Sequence, residues 1–255
     1  MQNNTFSRLF VGQNIIALQR VDSTNNFLRK ELSKSKPIPE GTVIMAEDQF
    51  AGRGQHNNTW TSEPGKNLTF SFVLYPVFLP ASQQFLLNIA VSIAINDALT
   101  QIIGSACKIK WPNDVFYQDS KIGGVLIENT VAGNHLKSSI VGIGINVNQV
   151  EFADSIQNIT SLKNITGNSF NIRDLMTGIL EAIDHRYSEL KEARNENHYG
   201  LYTGNLYRFN ELHKFVIKGA VQNGRITGID ETGHLVLDID GNQYHFGLKE
   251  IRYIL

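Results

Sequence analysis

The sequence predicts an α+β fold that ends in a small β-barrel. Three observations carry this. Apolar runs of strand length recur from Ile15 to Val147. Two longer stretches, about 80–103 and 172–187, space their apolar residues at helical intervals. The last stretch, about 55 residues, holds five short strand-like runs, the pattern of a small barrel. At 255 residues the chain is long enough for one large domain and one small one, predicted as 1–200 and 201–255.

Composition narrows the function classes. Hydrophobic residues make up 42% and charged residues 18%, a globular balance. The net charge of -1 argues against a protein that binds nucleic acid through bulk charge. Cys107 is the only cysteine, so neither a disulfide framework nor a Cys-rich zinc site is available. Its position suits a small buried residue at a strand start rather than a nucleophile. The N-terminus Met1-Gln2-Asn3-Asn4-Thr5 is polar and lacks a signal-peptide core. No apolar run is expected to approach the roughly 20 residues of a membrane span. The expectation is a cytoplasmic protein with no membrane association.

The elements follow in order. Ile15-Ile16-Ala17-Leu18 with Val21 form a first strand, and Phe27, Leu28 and Leu32 mark a first helix. Ser23 or Thr24 suits the cap of that helix, because a hydroxyl accepts from an orphan N–H of the first turn. Alternatively, Ser23, Thr24 and Asn25 face a pocket and hydrogen-bond a polar ligand. After the linker Lys36–Glu40, a buried strand runs from Gly41 to Ala46. Residues 47–60 then form a long polar loop containing Gly52-Arg53-Gly54-Gln55. It suits a lid over an anion, with Arg53 and backbone N–H groups as donors; the alternative is a merely disordered loop. It matches neither the dinucleotide fingerprint, having no third glycine and no following helix, nor the P-loop, having no Gly-Lys-Ser/Thr.

Leu68–Tyr75 alternates like a strand, and Leu86, Ile89, Ala90, Ile93 and Leu99 mark an amphipathic helix within 80–103. Next comes the stretch around which the chain is organised, Lys110-Trp111-Pro112-Asn113-Asp114 through Lys121, Gly123 and Gly124 to Glu128. It reads as a polar turn, a short strand Val115-Phe116-Tyr117, and a second strand that Lys121 enters. A lysine at the mouth of a buried strand is a point charge on a long stem, suited to an anionic ligand. Glycines beside it let a ligand lie against the backbone. An ordinary hairpin with a solvated lysine is the plainer alternative. Residues 139–148 form a strand with glycines at 142 and 144 and Asn146 at its polar end.

Residues 149–170 are polar and turn-rich. Asn171 then caps a helix with the stripe Ile172, Leu175, Met176, Ile179, Leu180, Ile183 and Tyr187, predicted to end near 195–200. In the tail, strands at 215–217, 224–229, 235–239, 244–246 and 251–254 build the barrel, with Asp240-Gly241 as a tight hairpin turn.

Taken together, these stretches resemble the biotin protein ligase family, the biotin–[acetyl-CoA-carboxylase] ligases. The residues that carry the resemblance are Ser23-Thr24-Asn25, Gln49 with Gly52-Arg53-Gly54, Trp60, Lys110-Trp111-Pro112-Asn113-Asp114, Lys121 with Gly123-Gly124, and Gly142–Asn146. They occur in the family's order across most of residues 20–150. The resemblance implies a mixed central β-sheet flanked by helices, of the class II aminoacyl-tRNA synthetase/biotin synthetase type, with an SH3-like C-terminal barrel. It implies a ligase forming a C–N bond: biotin, ATP and Mg²⁺ give biotinyl-5′-AMP, and a lysine of a biotin carboxyl carrier protein takes the biotin. A docking surface for the carrier at an exposed sheet edge is implied, with the protein a monomer or a homodimer.

By the same resemblance Lys121 touches both the biotin carboxyl and the adenylate phosphate, and Arg53 and Gly54 belong to a lid that excludes water. Ser23, Thr24, Asn25 and Gln49 hydrogen-bond the ureido ring. Gly123 and Gly124 leave room for the bicycle and its tail. Trp60 walls the site or serves the core. Asp114 and Asn146 are lesser candidates, for polar contacts and metal-linked phosphate binding, and no metal ligand is assigned.

Two departures matter. Gln55 stands where the family often has a second arginine, and Asn57, Asn58 and Thr59 replace basic residues, which implies looser retention of the adenylate unless His56 supplies a donor. Only about 14 residues precede the first strand, too few for a helix-turn-helix, so no operator-binding function is expected. The rival readings are a lipoate–protein ligase, which shares fold and adenylate strategy, and a non-catalytic biotin sensor. An RNA-binding barrel is disfavoured because the tail clusters few aromatics with Lys or Arg.

Overall fold

The computed structural model describes residues 10–36, 38–55, 58–153, 157–194 and 197–254. Its first part contains β1 (Ile15–Val21), α1 (Thr24–Leu32), β2 (Val43–Gln49), β3 (Leu68–Leu74), α2 (Phe85–Ile103), β4 (Cys107–Lys110), β5 (Asp114–Tyr117), β6 (Ser120–Ala132) and β7 (His135–Ile145). Then come α3 (Leu162–Thr166), α4 (Ile172–Lys191) and α5 (His198–Gly204). The tail is β8 (Leu212–Ile217), β9 (Ala220–Ile229), β10 (Leu235–Ile239), β11 (Asn242–Phe246) and β12 (Ile251–Tyr253).

The first seven strands form one mixed sheet in the order β1-β2-β3-β7-β6-β5-β4. Only β1 and β2 run parallel; every other neighbouring pair is antiparallel. The last five strands form a second, antiparallel sheet in the order β11-β10-β9-β8-β12. Asp240 and Gly241 both take positive φ, 52° and 83°, which is the tight hairpin turn expected from their sequence.

Helices cover both faces of the large sheet. On one face α1 packs Leu28 against Ile44, Val73 and Ile140. On the other, α2 and α4 join the main core, which continues into the five-stranded sheet through Phe215, Ile226, Leu237 and Tyr253. Covering on both faces explains why all seven residues of β3 are buried, where alternation was expected. The largest buried side chains, among them Phe70, Phe72 and Ile93, are each worth about 1.5–3 kcal/mol of apolar burial.

Several expectations need correcting. β2 runs on to Gln49, past the predicted end at Ala46, because β1 pairs with it as far as Val21↔Gln49. The segment Ala81–Ile103 is in fact long and apolar enough to cross a membrane, with a mean hydropathy of 1.6 in its most apolar window. It is the central core helix: α2 packs on α4, α5 and β4. Helix α4 stops at Lys191, short of 195–200, and the two short helices α3 and α5 were not anticipated. Asn171 does cap α4, its side chain accepting from the backbone N–H groups of Arg173 and Asp174.

Candidate active site

A cleft of about 180 Å³ opens on the face of the sheet that carries α1. Strand rows run beneath it. Ser71 of β3, Gly142 of β7 and Leu126 of β6 are direct neighbours across three strands, as are Thr69, Gly144 and Gly124 one step along. The glycines of these rows are seats. A Cβ on Gly142 would lie 2.1 Å from Asn25 Oδ1, and one on Gly144 2.5 Å from the Trp60 ring. A Cβ on Gly124 would lie 2.9 Å from Asp114 Oδ1 and 3.4 Å from Lys121 Nζ. Without side chains at these positions, an amide, an indole and an ion pair lie directly on the backbone.

Polar groups occupy the α1 end. Ser23, Thr24 and Asn25 are almost wholly buried. Ser23 holds the cap position of α1, but its side chain makes no cap hydrogen bond, and Thr24 is turned to other partners. The Thr24 N–H donates to Gln49 Oε1 at 2.8 Å, and the Thr24 hydroxyl lies 3.1 Å from the same oxygen and 2.6 Å from Ser71 Oγ. All three members of the triplet line the cleft.

The other end is charged. Lys121 Nζ lies 2.6 Å from Asp114 Oδ1, with both side chains about one-third exposed. The Lys121 backbone is pinned as well. Its N–H donates to Asn158 O and its carbonyl accepts from Thr160 N–H, at 2.7 and 2.9 Å. The turn before Asp114 is held from three directions: Asn88 of α2 and Tyr202 of α5 both donate to Pro112 O, and Trp111 Nε1 donates to Gly233 O of the barrel. Asn113 donates from Nδ2 to Val125 O. Lys110 points away from the cleft, its amine 4.5 Å from the Phe116 ring centre and 5.0 Å from that of Tyr253. Burial lowers its pKa, helped by the charges of Lys121 and Arg208 and opposed by Asp114.

The described parts of the loop after β2 pair with each other. Gly54 N–H donates to Asn58 O, Trp60 N–H donates to Gly52 O, and Arg53 bridges Thr59. Arg53 is docked on Glu128, with NH2 3.0 Å from Oε1, and on Asn26 Oδ1 at 3.0 Å. Glu128 also receives Arg29 and the Asn25 amide.

Most of the predicted positions meet here. Ser23, Thr24, Asn25, Gln49, Arg53, Gly54, Gln55, Asp114, Lys121 and Gly124 all line the cleft, as does Trp60. Two others do not. A Cβ on Gly123 would meet Gly144 O and Ile145 of the neighbouring strand, so its missing side chain serves strand packing. Asn146 donates to Thr160 O, supporting the segment that pins Lys121. His56 and Asn57 lie outside the described residues. Sequence reasoning missed Ser71 and the pairing of Glu128 with Arg53. Ser71 is a lone serine in an apolar strand, and that isolation is the one signal that marks it. Among the described residues no group of three His, Cys, Asp or Glu side chains is placed to hold a metal ion.

Comparison with known proteins gives a consistent result. The profile of the Biotin/lipoate A/B protein ligase family matches residues 17–146. The bifunctional ligase/repressor BirA of Bacillus subtilis is 32% identical over 182 residues, covering 70% of this chain but only 55% of that protein. The chain thus spans little more than half the length of that curated relative. A biotin–[acetyl-CoA-carboxylase] ligase of Paracoccus denitrificans is 29% identical over 86% of this chain and 92% of its own length. Among solved structures, the biotin protein ligase of Aquifex aeolicus in complex with biotin and ATP superposes with a TM-score of 0.79. It is 28% identical and covers 95% of this chain and 100% of its own.

Proposed function

The chain belongs to the biotin/lipoate A/B protein ligase family, and from that premise we propose that it is an ATP-dependent biotin–protein ligase of the cytoplasm. The observation that carries this is the pairing, in one cleft, of the Thr24, Asn25 and Gln49 polar set with the Lys121–Asp114 pair. The first suits a ureido ring and the second suits the carboxylate at the other end of the same molecule.

In this reading the biotin carboxylate attacks the α-phosphate of ATP. One C–O–P linkage forms, pyrophosphate leaves, and biotinyl-5′-AMP remains. A carrier lysine then attacks the acyl carbon as the free amine, and AMP leaves. Carboxylate and phosphate repel one another as they approach. The Lys121 ammonium lies between them and offsets that repulsion; its pinned backbone limits the reorganisation needed. Arg53 and Gly54 close over the adenylate and keep water from the anhydride. Asp114 orients Lys121. Mg²⁺ would supply charge neutralisation at the phosphates; among the described lining residues Asp114 is the one carboxylate that could help hold it, and it is paired with Lys121. The adenylating unit is residues 1–200, with α5 running across the division from the barrel at 201–255.

A lipoyl ring is a poor fit, because a dithiolane has no N–H or C=O to offer the buried Thr24 hydroxyl and the half-buried Gln49 amide. The partner is a biotin carboxyl carrier domain that presents a lysine. The test is transfer of labelled biotin to such a domain with ATP and Mg²⁺, for wild type and Lys121→Ala. Transfer by the wild type and a loss of at least about a hundredfold in a folded variant are expected. No transfer by the wild type would overturn the assignment.

A further inference from the structure

The buried polar groups beneath the cleft form a directed chain. Asn25 is 3% exposed and uses both ends of its amide. Its Nδ2 donates to Glu128 Oε2 at 2.8 Å, and its Oδ1 accepts from Ser71 Oγ at 2.6 Å. An ionised carboxylate only accepts, so Glu128 fixes which way this amide faces. With Nδ2 turned to Glu128, Oδ1 must face Ser71, which holds it with its single hydroxyl proton. The Ser71 oxygen is then free only to accept, and the Thr24 hydroxyl 2.6 Å away is its donor. The order of donation is therefore Thr24 to Ser71 to Asn25 to Glu128.

This order has a consequence at the cleft surface. A hydroxyl carries one proton. With that proton held by the nearer Ser71 oxygen at 2.6 Å rather than by Gln49 Oε1 at 3.1 Å, the Thr24 hydroxyl, which lines the cleft, is left to act there as an acceptor. Gln49 is fixed separately, because the Thr24 backbone N–H can only donate and therefore takes Oε1. Its Nε2 is left as a donor. An acceptor beside a donor is the complement of a ureido edge, which offers N–H beside C=O.

We infer that Ser71, which is fully buried and does not line the cleft, is a positioning residue that makes Thr24 an acceptor and so sets the preference for a ureido ring. The inference rests on the ligase reading given above. In Ser71→Ala the Thr24 proton loses its partner and turns to Gln49 or into the cleft, where it opposes a ureido N–H. The Asn25 oxygen is orphaned in the same step.

The test measures the Kd of biotin and the inhibition constant of lipoic acid, which has a carboxyl tail but no ureido group. Wild type, Ser71→Ala and Ser71→Thr are compared, with folding followed by circular dichroism. Ser71→Ala is expected to weaken biotin about tenfold, the loss of one well-placed hydrogen bond, and to shift lipoic acid less than twofold. Ser71→Thr, which keeps the hydroxyl, is expected to restore the ratio of the two constants. A parallel loss of both ligands in Ser71→Ala, or an unchanged biotin affinity, would overturn the inference. Wild-type protein that binds no biotin would instead remove the ligase reading on which it stands.

Discussion

The Lys121 ammonium rests 2.6 Å from the Asp114 carboxylate, and both sit over Gly124, where a Cβ would crowd the Asp114 oxygen at 2.9 Å. The residues come from different strands: Asp114 opens β5, and Lys121 enters β6 just after the turn. Asp114 holds a long, flexible stem in one place. Freeing that stem returns up to about 2 kcal/mol of rotamer entropy to the unbound lysine. Asp114→Asn is therefore expected to slow adenylation about tenfold while leaving the fold intact. Single-turnover formation of biotinyl-AMP measures this; an unchanged rate would mean the pair does not position the lysine.

Gly144 seats the Trp60 indole. Gly144→Ala places a methyl 2.5 Å from the ring, with backbone on one side and sheet on the other. Overpacking of this kind costs about 1–3 kcal/mol. The urea midpoint should fall accordingly, and biotin affinity should fall with it because the cleft wall is displaced. Equal stability of variant and wild type would show that Trp60 moves freely.

Gln55 lines the cleft where the resemblance to the ligase family leads one to expect a second arginine. A neutral amide donates to a phosphate oxygen but adds no charge. Gln55→Arg should slow release of biotinyl-AMP several-fold, as followed by filter retention of the labelled intermediate. Equal release rates would exclude Gln55 from adenylate retention.

Cys107 is 1% exposed, and burial pushes its thiol up to about 12, with the neighbouring Thr100 hydroxyl and the charge of Lys108 acting the other way. The folded protein therefore keeps this proton at pH values where the unfolded chain releases it, near 8.5. Between those values the native state binds more protons than the unfolded one, so stability falls as pH rises. Thiol labelling at pH 8 should be negligible in native protein and rapid in urea. The stability lost between pH 8 and pH 10 should be smaller in Cys107→Ala than in wild type. Prompt labelling of the native state would refute the buried placement.

What the sequence by itself determined is local. The helical stripe of α4, the Asn171 cap and the Asp240-Gly241 turn each depend on neighbours within a few residues. The order of the short motifs, from Ser23 to Asn146, was likewise legible, because each motif pairs a residue type with a chemical need. Tertiary structure decided which of these motifs meet and how. Gly123 and Gly124 are adjacent and chemically identical, yet pleating turns one toward Ile145 and the other toward Lys121. Asn146, far from Lys121 in sequence, donates to the carbonyl of Thr160, whose N–H is bonded to Lys121 O. Ser71 acquired its role only because β3 pairs with β7 in the register that sets it opposite Gly142, beneath Asn25 of α1. Such contacts join residues tens of positions apart, and strand register with side-chain packing fixes them, which no local pattern encodes.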